Sequence, residues 1–113
     1  MDERKALIKQ LDSVYSQVIR KSKYCKKCAT TSGVEPAHIF SRSCMSVRWD
    51  LDNSIPLCRK CHSWTHRNTK QFKDWVRKLY GDERYDNLVI NANSIKKFTI
   101  DELKILQEKL NVL

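Results

Sequence analysis

No run of about eighteen apolar residues occurs anywhere in this 113-residue chain, so no transmembrane helix can be read from it. The opening MDERKALIKQ is charged from its second residue and lacks the apolar stretch of a signal peptide. A secreted, disulfide-stapled domain is therefore not expected. Cysteines in an intracellular chain, the location expected here, are more often ligands or catalysts. Internal repeats and low-complexity segments are also lacking. Acidic side chains are scarce in one region only: residues 20–78 carry four Asp/Glu against fourteen Lys/Arg. The flanks are close to neutral, with three basic and three acidic residues in 1–19 and five against six in 79–113. The net charge of +9 thus arises in the segment that holds every Cys and every His. A field concentrated in this way suits a polyanion. Nucleic acid is expected before a membrane, because no basic amphipathic helix with a large apolar face accompanies the charge.

What is present suffices for one core. Hydrophobic residues make up 41% of the chain and include three Trp, four Tyr and three Phe, which is too much for a disordered tail. The length fits a single domain, read in three parts: an N-terminal helix within 1–22, a centre over 23–68 and a helical part over 69–113. Residues 3–20 place Leu7, Leu11, Val14, Tyr15, Val18 and Ile19 on one helical face. Val34–Phe40 and Ser54–Leu57 read as short strands, with Pro56 marking an edge position. A polar loop runs between them through Asp52, and a helix starts near Cys61. Thr69–Tyr80 is a further helix, with Phe72, Trp75, Val76 and Leu79 at helical spacing and Gly81 as its stop. A short helical segment is expected over Asp82–Val89. The last helix opens on a capping box, Thr99 with Glu102, and buries Ile100, Leu103, Leu106 and Leu110. The three tryptophans read as core, Trp49 being the one best suited to exposure. The class is α+β: a compact strand–strand–helix centre flanked by N- and C-terminal helices.

Two C-x-x-C pairs, Cys25/Cys28 and Cys58/Cys61, are the strongest motif. A two-residue spacer lets both sulfurs of a pair converge on one ion, and two such turns make the tetrahedral four-thiolate site that structural Zn2+ prefers. Lys26, Lys27, Arg59 and Lys60 fill the spacers and offset the negative charge of such a centre. A redox C-x-x-C wants a βαβ setting, which is missing. Cys44 is left over and reads as a small, partly buried thiol. Around the knuckle stand His38 at the end of one strand, Asn53 at the start of the next, and His62 directly after the fourth cysteine. His66 lies four residues beyond His62, so on a helix the two imidazoles share a face and can ligate one ion. Arg42, Arg48, Arg59, Lys60 and Arg67 lie near this cluster in sequence and are the expected phosphate contacts.

The string Asn53-x-Ile55-x-Leu57-Cys58-x-x-Cys61-His62, preceded by the first cysteine pair and Ala37-His38-Ile39, resembles the HNH endonucleases of the zinc-stabilised ββα-metal (His-Me finger) type over about residues 24–68. Arg48-Trp49-Asp50-x-x-Asn53, Tyr80-Gly81-Asp82-Glu83 and the C-terminal helix are similar to phage recombination nucleases of the NinG type. The resemblance implies a metal-dependent DNA endonuclease with His38 as general base. Asn53 would orient His38 or ligate the metal. His62, joined by His66, would hold a catalytic Mg2+ or another divalent cation, and Glu35 would orient an Arg or a ligand. Branched or recombining DNA is the substrate that the NinG likeness implies. One departure stands out: most HNH enzymes carry an Asp or His just before the base, where this chain has Ala37. Two other classes fit part of the pattern. A non-catalytic zinc-knuckle DNA-binding module explains the cysteines and the charge, and a small phage assembly protein would use zinc only to fold. Helices 3–20 and 99–111 are free to pack on the centre or to pair with a second copy in a homodimer.

Overall fold

A computed structural model describes residues 2–113 as an α+β fold of five helices and one two-stranded antiparallel sheet. In chain order the elements are α1 (Glu3–Arg20), β1 (Val34–His38), β2 (Ser54–Cys58), α2 (Arg59–Arg67), α3 (Thr69–Tyr80), α4 (Asp82–Ala92) and α5 (Ile100–Asn111). Two 3-10 turns, Met45–Val47 and Leu51–Asn53, shape the connection between the strands.

The sheet register follows from its prolines. Pro36 lies opposite Pro56, and Val34, Glu35, Ala37 and His38 face Cys58, Leu57, Ile55 and Ser54. A proline has no N–H to give to a ladder, so two can face each other only where the strands exchange no hydrogen bonds. The Pro56 carbonyl accordingly turns outward and accepts from the Lys26 N–H at 2.9 Å. That bond fastens the first cysteine turn to the outer edge of β2. The Cys58 sulfur accepts from the Cys61 N–H at 3.5 Å and caps α2, which therefore starts at Arg59, two residues before the expected Cys61.

The buried side chains form two clusters. In the first, Cys25, Ala37, Ile39, Val47, Ile55, Leu57, Cys58 and Cys61 join Phe72 and Val76 of α3 and Tyr85 and Leu88 of α4. The second is built by Leu7, Leu11, Tyr15 and Ile19, at strict four-residue spacing on α1, with Trp49 and with Leu103 and Leu110 of α5. The N- and C-terminal helices thus pack on each other, and α1 also lies against the sheet. The capping box of α5 is formed, with bonds of 3.0 and 3.1 Å between Thr99 and Glu102. Only Leu103 and Leu110 of its stripe are fully buried; Ile100 and Leu106 sit at the margin. On α3 the buried seam follows Phe72 and Val76 to the half-buried Tyr80, so Leu79 turns outward and is 41% exposed. Helix α4 runs three residues past the expected Val89.

Trp49, the tryptophan best suited to exposure, is core, as the reading of the tryptophans expects: 4% of it is accessible. Its indole N–H donates to Asp12 Oδ1 at 2.9 Å, and its ring meets Phe98 edge-on. The same carboxylate takes two bonds from Arg48, at 3.0 and 2.6 Å. Burial works against Asp12 ionising, but the bonds from Arg48 and Trp49 and the charges of Arg48 and Arg42 outweigh it and hold the carboxyl below its usual range.

Asp12→Ala strands a buried indole N–H and a guanidinium, which costs about 1–3 kcal/mol; thermal denaturation should show a Tm lower by about 5–10 °C. Because the folded pKa is depressed, the Asp12 contribution is complete above the unfolded carboxylate value near ~3.9 and is lost as pH falls through the lower folded value. Asp12→Asn should flatten the acid limb of a Tm-against-pH curve.

Candidate functional site: a sulfur cluster beside a histidine cleft

The metal-ligating candidates divide into two sets. Cys25, Cys28, Cys58 and Cys61 bring their four sulfurs within 4.8 Å of one another, and all are free thiols. The first pair sits in a tight turn in which the Ala29 N–H returns to the Cys25 carbonyl and the Cys25 N–H to the Thr30 carbonyl, both at 2.8 Å. Ala29 closes the turn with φ of 64°, a left-handed conformation uncommon for a residue with a Cβ. Four sulfurs about 2.3 Å from a common centre, the zinc–thiolate distance, would lie about 3.8 Å apart. Cys28 and Cys58 Sγ are 3.7 Å apart. The cluster therefore can hold a metal ion. Electrostatics agree with this. Burial resists ionisation of Cys25, yet hydrogen bonds with the backbone of Cys58, Cys28 and Lys27 draw its thiol down to about 6. Burial and the surrounding sulfurs push Cys61 up to about 12. Four thiolates this close need a divalent cation to coexist.

The second set meets in a cleft of about 810 Å³, where β1 leaves one edge unpaired. His38, Glu35, His62, His66 and Arg42 line it, so five of the residues singled out in the sequence do converge. Helix α2 presents His62 and His66 one turn apart, with ring centroids 5.0 Å from each other. His62 Nδ1 lies 2.7 Å from Glu35 Oε1 on β1. In the tautomer that donates to this carboxylate, Nε2 keeps its lone pair for a ligand, an arrangement in which a carboxylate both orients a metal-binding imidazole and makes it more basic. Glu35 thus bonds an imidazole and not an arginine. Among the described residues no third His, Cys, Asp or Glu closes this pair into a metal cluster; the cysteines form the sole group of three or more. Ala37, directly before His38, is fully buried.

His38 ends β1 and stacks on Tyr15 of α1, with centroids 5.6 Å apart and planes inclined by 29°. Burial, followed by the Arg42 charge, lowers its pKa, while Asp12 and contact with the Arg48 backbone act in the opposite sense. The lowering favours the neutral ring, the form able to accept a proton. Asn53 does not reach the His38 ring. It is fully buried, accepts from the Phe40 N–H at 2.8 Å and donates to the Phe40 carbonyl at 2.9 Å. Its own carbonyl takes the Ile39 N–H at 2.8 Å. Asn53 therefore fixes the two residues after His38 through the backbone, with both ends of its amide engaged by Phe40.

The basic residues separate as well. Arg48 is committed to Asp12 and has only 18% of its side chain exposed, which removes it from the expected phosphate contacts. Arg42 is 63% exposed at the cleft. Arg59, Lys60 and Arg67 lie on the solvent side of α2 and do not line the cleft. Asp12, Tyr15, Ser16 and Arg20, all from α1, do line it, and sequence reasoning missed them as site residues. Tyr15 reads simply as part of an apolar stripe, and no local motif links residue 15 to residue 38. Cys44 packs half-buried against the first cluster, and no helix among the described residues is long and apolar enough to cross a membrane. No protein-family profile, curated protein or solved structure matches this chain.

NMR titration should place the His38 midpoint below the ordinary value near ~6.5. Arg42→Gln should move that midpoint upward, because it removes a cation that opposes protonation.

Proposed function

We propose that this chain is a metal-dependent DNA endonuclease of the ββα-metal type, built on a structural zinc ion. The observation that carries the reading is the convergence in one cleft of a neutral imidazole, His38, and a carboxylate-oriented imidazole, His62, with His66 one turn away. The order β1, β2, α2 around these residues agrees with the HNH resemblance, and the positive charge of residues 20–78 suits a phosphodiester backbone. Zinc is the ion whose ligand preference and bond length fit the four cysteines.

In this reading His38 takes the proton of a water whose oxygen attacks phosphorus; the P–O3′ bond breaks and the leaving oxygen is protonated from solvent. Arg42, exposed at the cleft, holds a phosphate oxygen, and Arg59, Lys60 and Arg67 contact neighbouring phosphates. Glu35 keeps the His62 ring turned toward the cleft. A divalent ion such as Mg2+, bound by His62 and His66 with water and phosphate oxygens, would supply charge stabilisation at the scissile phosphate. Branched recombination intermediates are one substrate class to test, on the NinG likeness alone. A second reading, a zinc-knuckle module that binds DNA without cutting it, is favoured by one observation: among the described residues no third His, Cys, Asp or Glu joins the histidine pair, and the position before His38 is a buried alanine.

Metal analysis of purified protein should give one tightly held zinc per chain, and Cys58→Ser should lose it together with the folded state. Plasmid nicking with Mg2+ or Mn2+ should fall by about 10²–10⁴-fold in His38→Ala and fall also in His62→Ala. Well-folded, zinc-loaded protein that binds DNA but nicks it with no divalent ion would establish the binding-module reading instead. Arg67→Ala should weaken DNA binding and reduce the slope of log K against log salt by about 1.

A further inference from the structure

Helix α1 lies outside the β1–β2–α2 unit, yet it forms one wall of the cleft. Among its cleft residues Tyr15 has the most constrained geometry. It is 2% exposed, and its hydroxyl lies 2.7 Å from both the Asp50 carbonyl and the Ser54 Oγ. The phenol donates to the carbonyl and can accept from the serine. Ser54 is the residue paired with His38 across the sheet, so the tyrosine is anchored to the strand beside the one that carries the base. Its ring then stacks on the His38 imidazole at 5.6 Å, within the range where aromatic pairs attract beyond their area. Asn53 fixes the backbone after His38 without touching the ring, which also meets the Arg48 backbone. The tyrosine face adds a constraint on the ring plane.

We infer that Tyr15 is a positioning residue for His38: pinned at its hydroxyl by Asp50 and Ser54, its ring sets the plane in which the imidazole meets the attacking water. The catalytic meaning of this rests on the nuclease reading, whereas the contact does not. The titratable or charged groups around His38 are Asp12, Tyr15 and Arg20 from α1, Arg42 and Arg48 from the loop, Glu35 on β1, and His62 and His66 from α2.

Two variants test the inference. Tyr15→Phe keeps the ring and removes both anchors, and Tyr15→Leu removes the ring. Nicking at saturating divalent ion should show kcat lowered about threefold to tenfold in Tyr15→Phe and about 100-fold in Tyr15→Leu, with KM within about twofold of the parent. In NMR titration without DNA, the His38 midpoint should rise in Tyr15→Leu, because the imidazole gains solvent. A purely structural role would lower Tm while leaving kcat and the His38 midpoint unchanged in folded protein, and that result overturns the inference. If Tyr15→Leu does not fold, Tyr15→Phe decides alone: parental kcat together with an unaltered His38 resonance and midpoint overturns it. A His38→Ala chain that nicks like the parent removes the nuclease reading and the catalytic role with it. That failure is separately visible, because the NMR comparison involves no cleavage.

Discussion

Four sulfurs within 4.8 Å hold this chain at the point where its first turn, its sheet and its second helix meet. Cys58 and Cys61 span the junction between β2 and α2 and so set the angle at which His62 and His66 leave the sheet. Cys25 and Cys28 bring in the basic turn whose Lys26 amide bonds the outer edge of β2. A two-stranded sheet is marginal by itself in water, and a chain of this size has limited apolar area to hold one. A cation held by the sulfurs would add a constraint that burial alone does not supply.

The cleft depends on that geometry from one side and on α1 from the other. Glu35 and His38 belong to the same strand, yet Glu35 bonds a histidine of α2 while His38 stacks against α1. Glu35 and His38 are an odd number of residues apart, so alternation along β1 turns them to opposite faces, and Ala37, between them, is buried in the apolar core. The unpaired edge of β1 is what lets both sides open into one cavity. Polar groups here are used economically. Asn53 is buried with both amide ends bonded, and among the described residues no buried side-chain nitrogen or oxygen lacks a partner.

Charge illustrates how neighbours change what a residue can do. Arg42 and Arg48 are six positions apart in one basic loop and look equivalent as phosphate contacts. Arg48 is closed onto Asp12 in a two-bond fork beside Trp49, whereas Arg42 is 3.8 Å from the same carboxylate and largely exposed. The carboxylate that separates them comes from residue 12, on a different element. The same contact draws Trp49 into the core and thereby ties the interstrand loop to α1 and, through Phe98, to the approach of α5.

Local spacing was sufficient for several features of this protein. The C-x-x-C pairs specify convergent sulfurs because the turn geometry lies within four residues, and the i, i+4 histidines specify a shared face because a helix has a fixed pitch. The four-residue stripe of α1 and the Thr99–Glu102 cap were legible for the same reason: each is complete within one element. Other features required the tertiary fold. Tyr15 and His38, Glu35 and His62, and Asp12 with Arg48 and Trp49 are each separated by more than twenty residues, and nothing in either local segment encodes the meeting. The partners of Asn53, Arg48 and Trp49 were likewise out of reach of local spacing, because residues from other segments engage their polar atoms. Sequence by itself determined which chemical groups this chain carries; packing of α1 and α2 around one strand edge decided which of them share a cleft, since only packing sets distances between residues far apart in the chain.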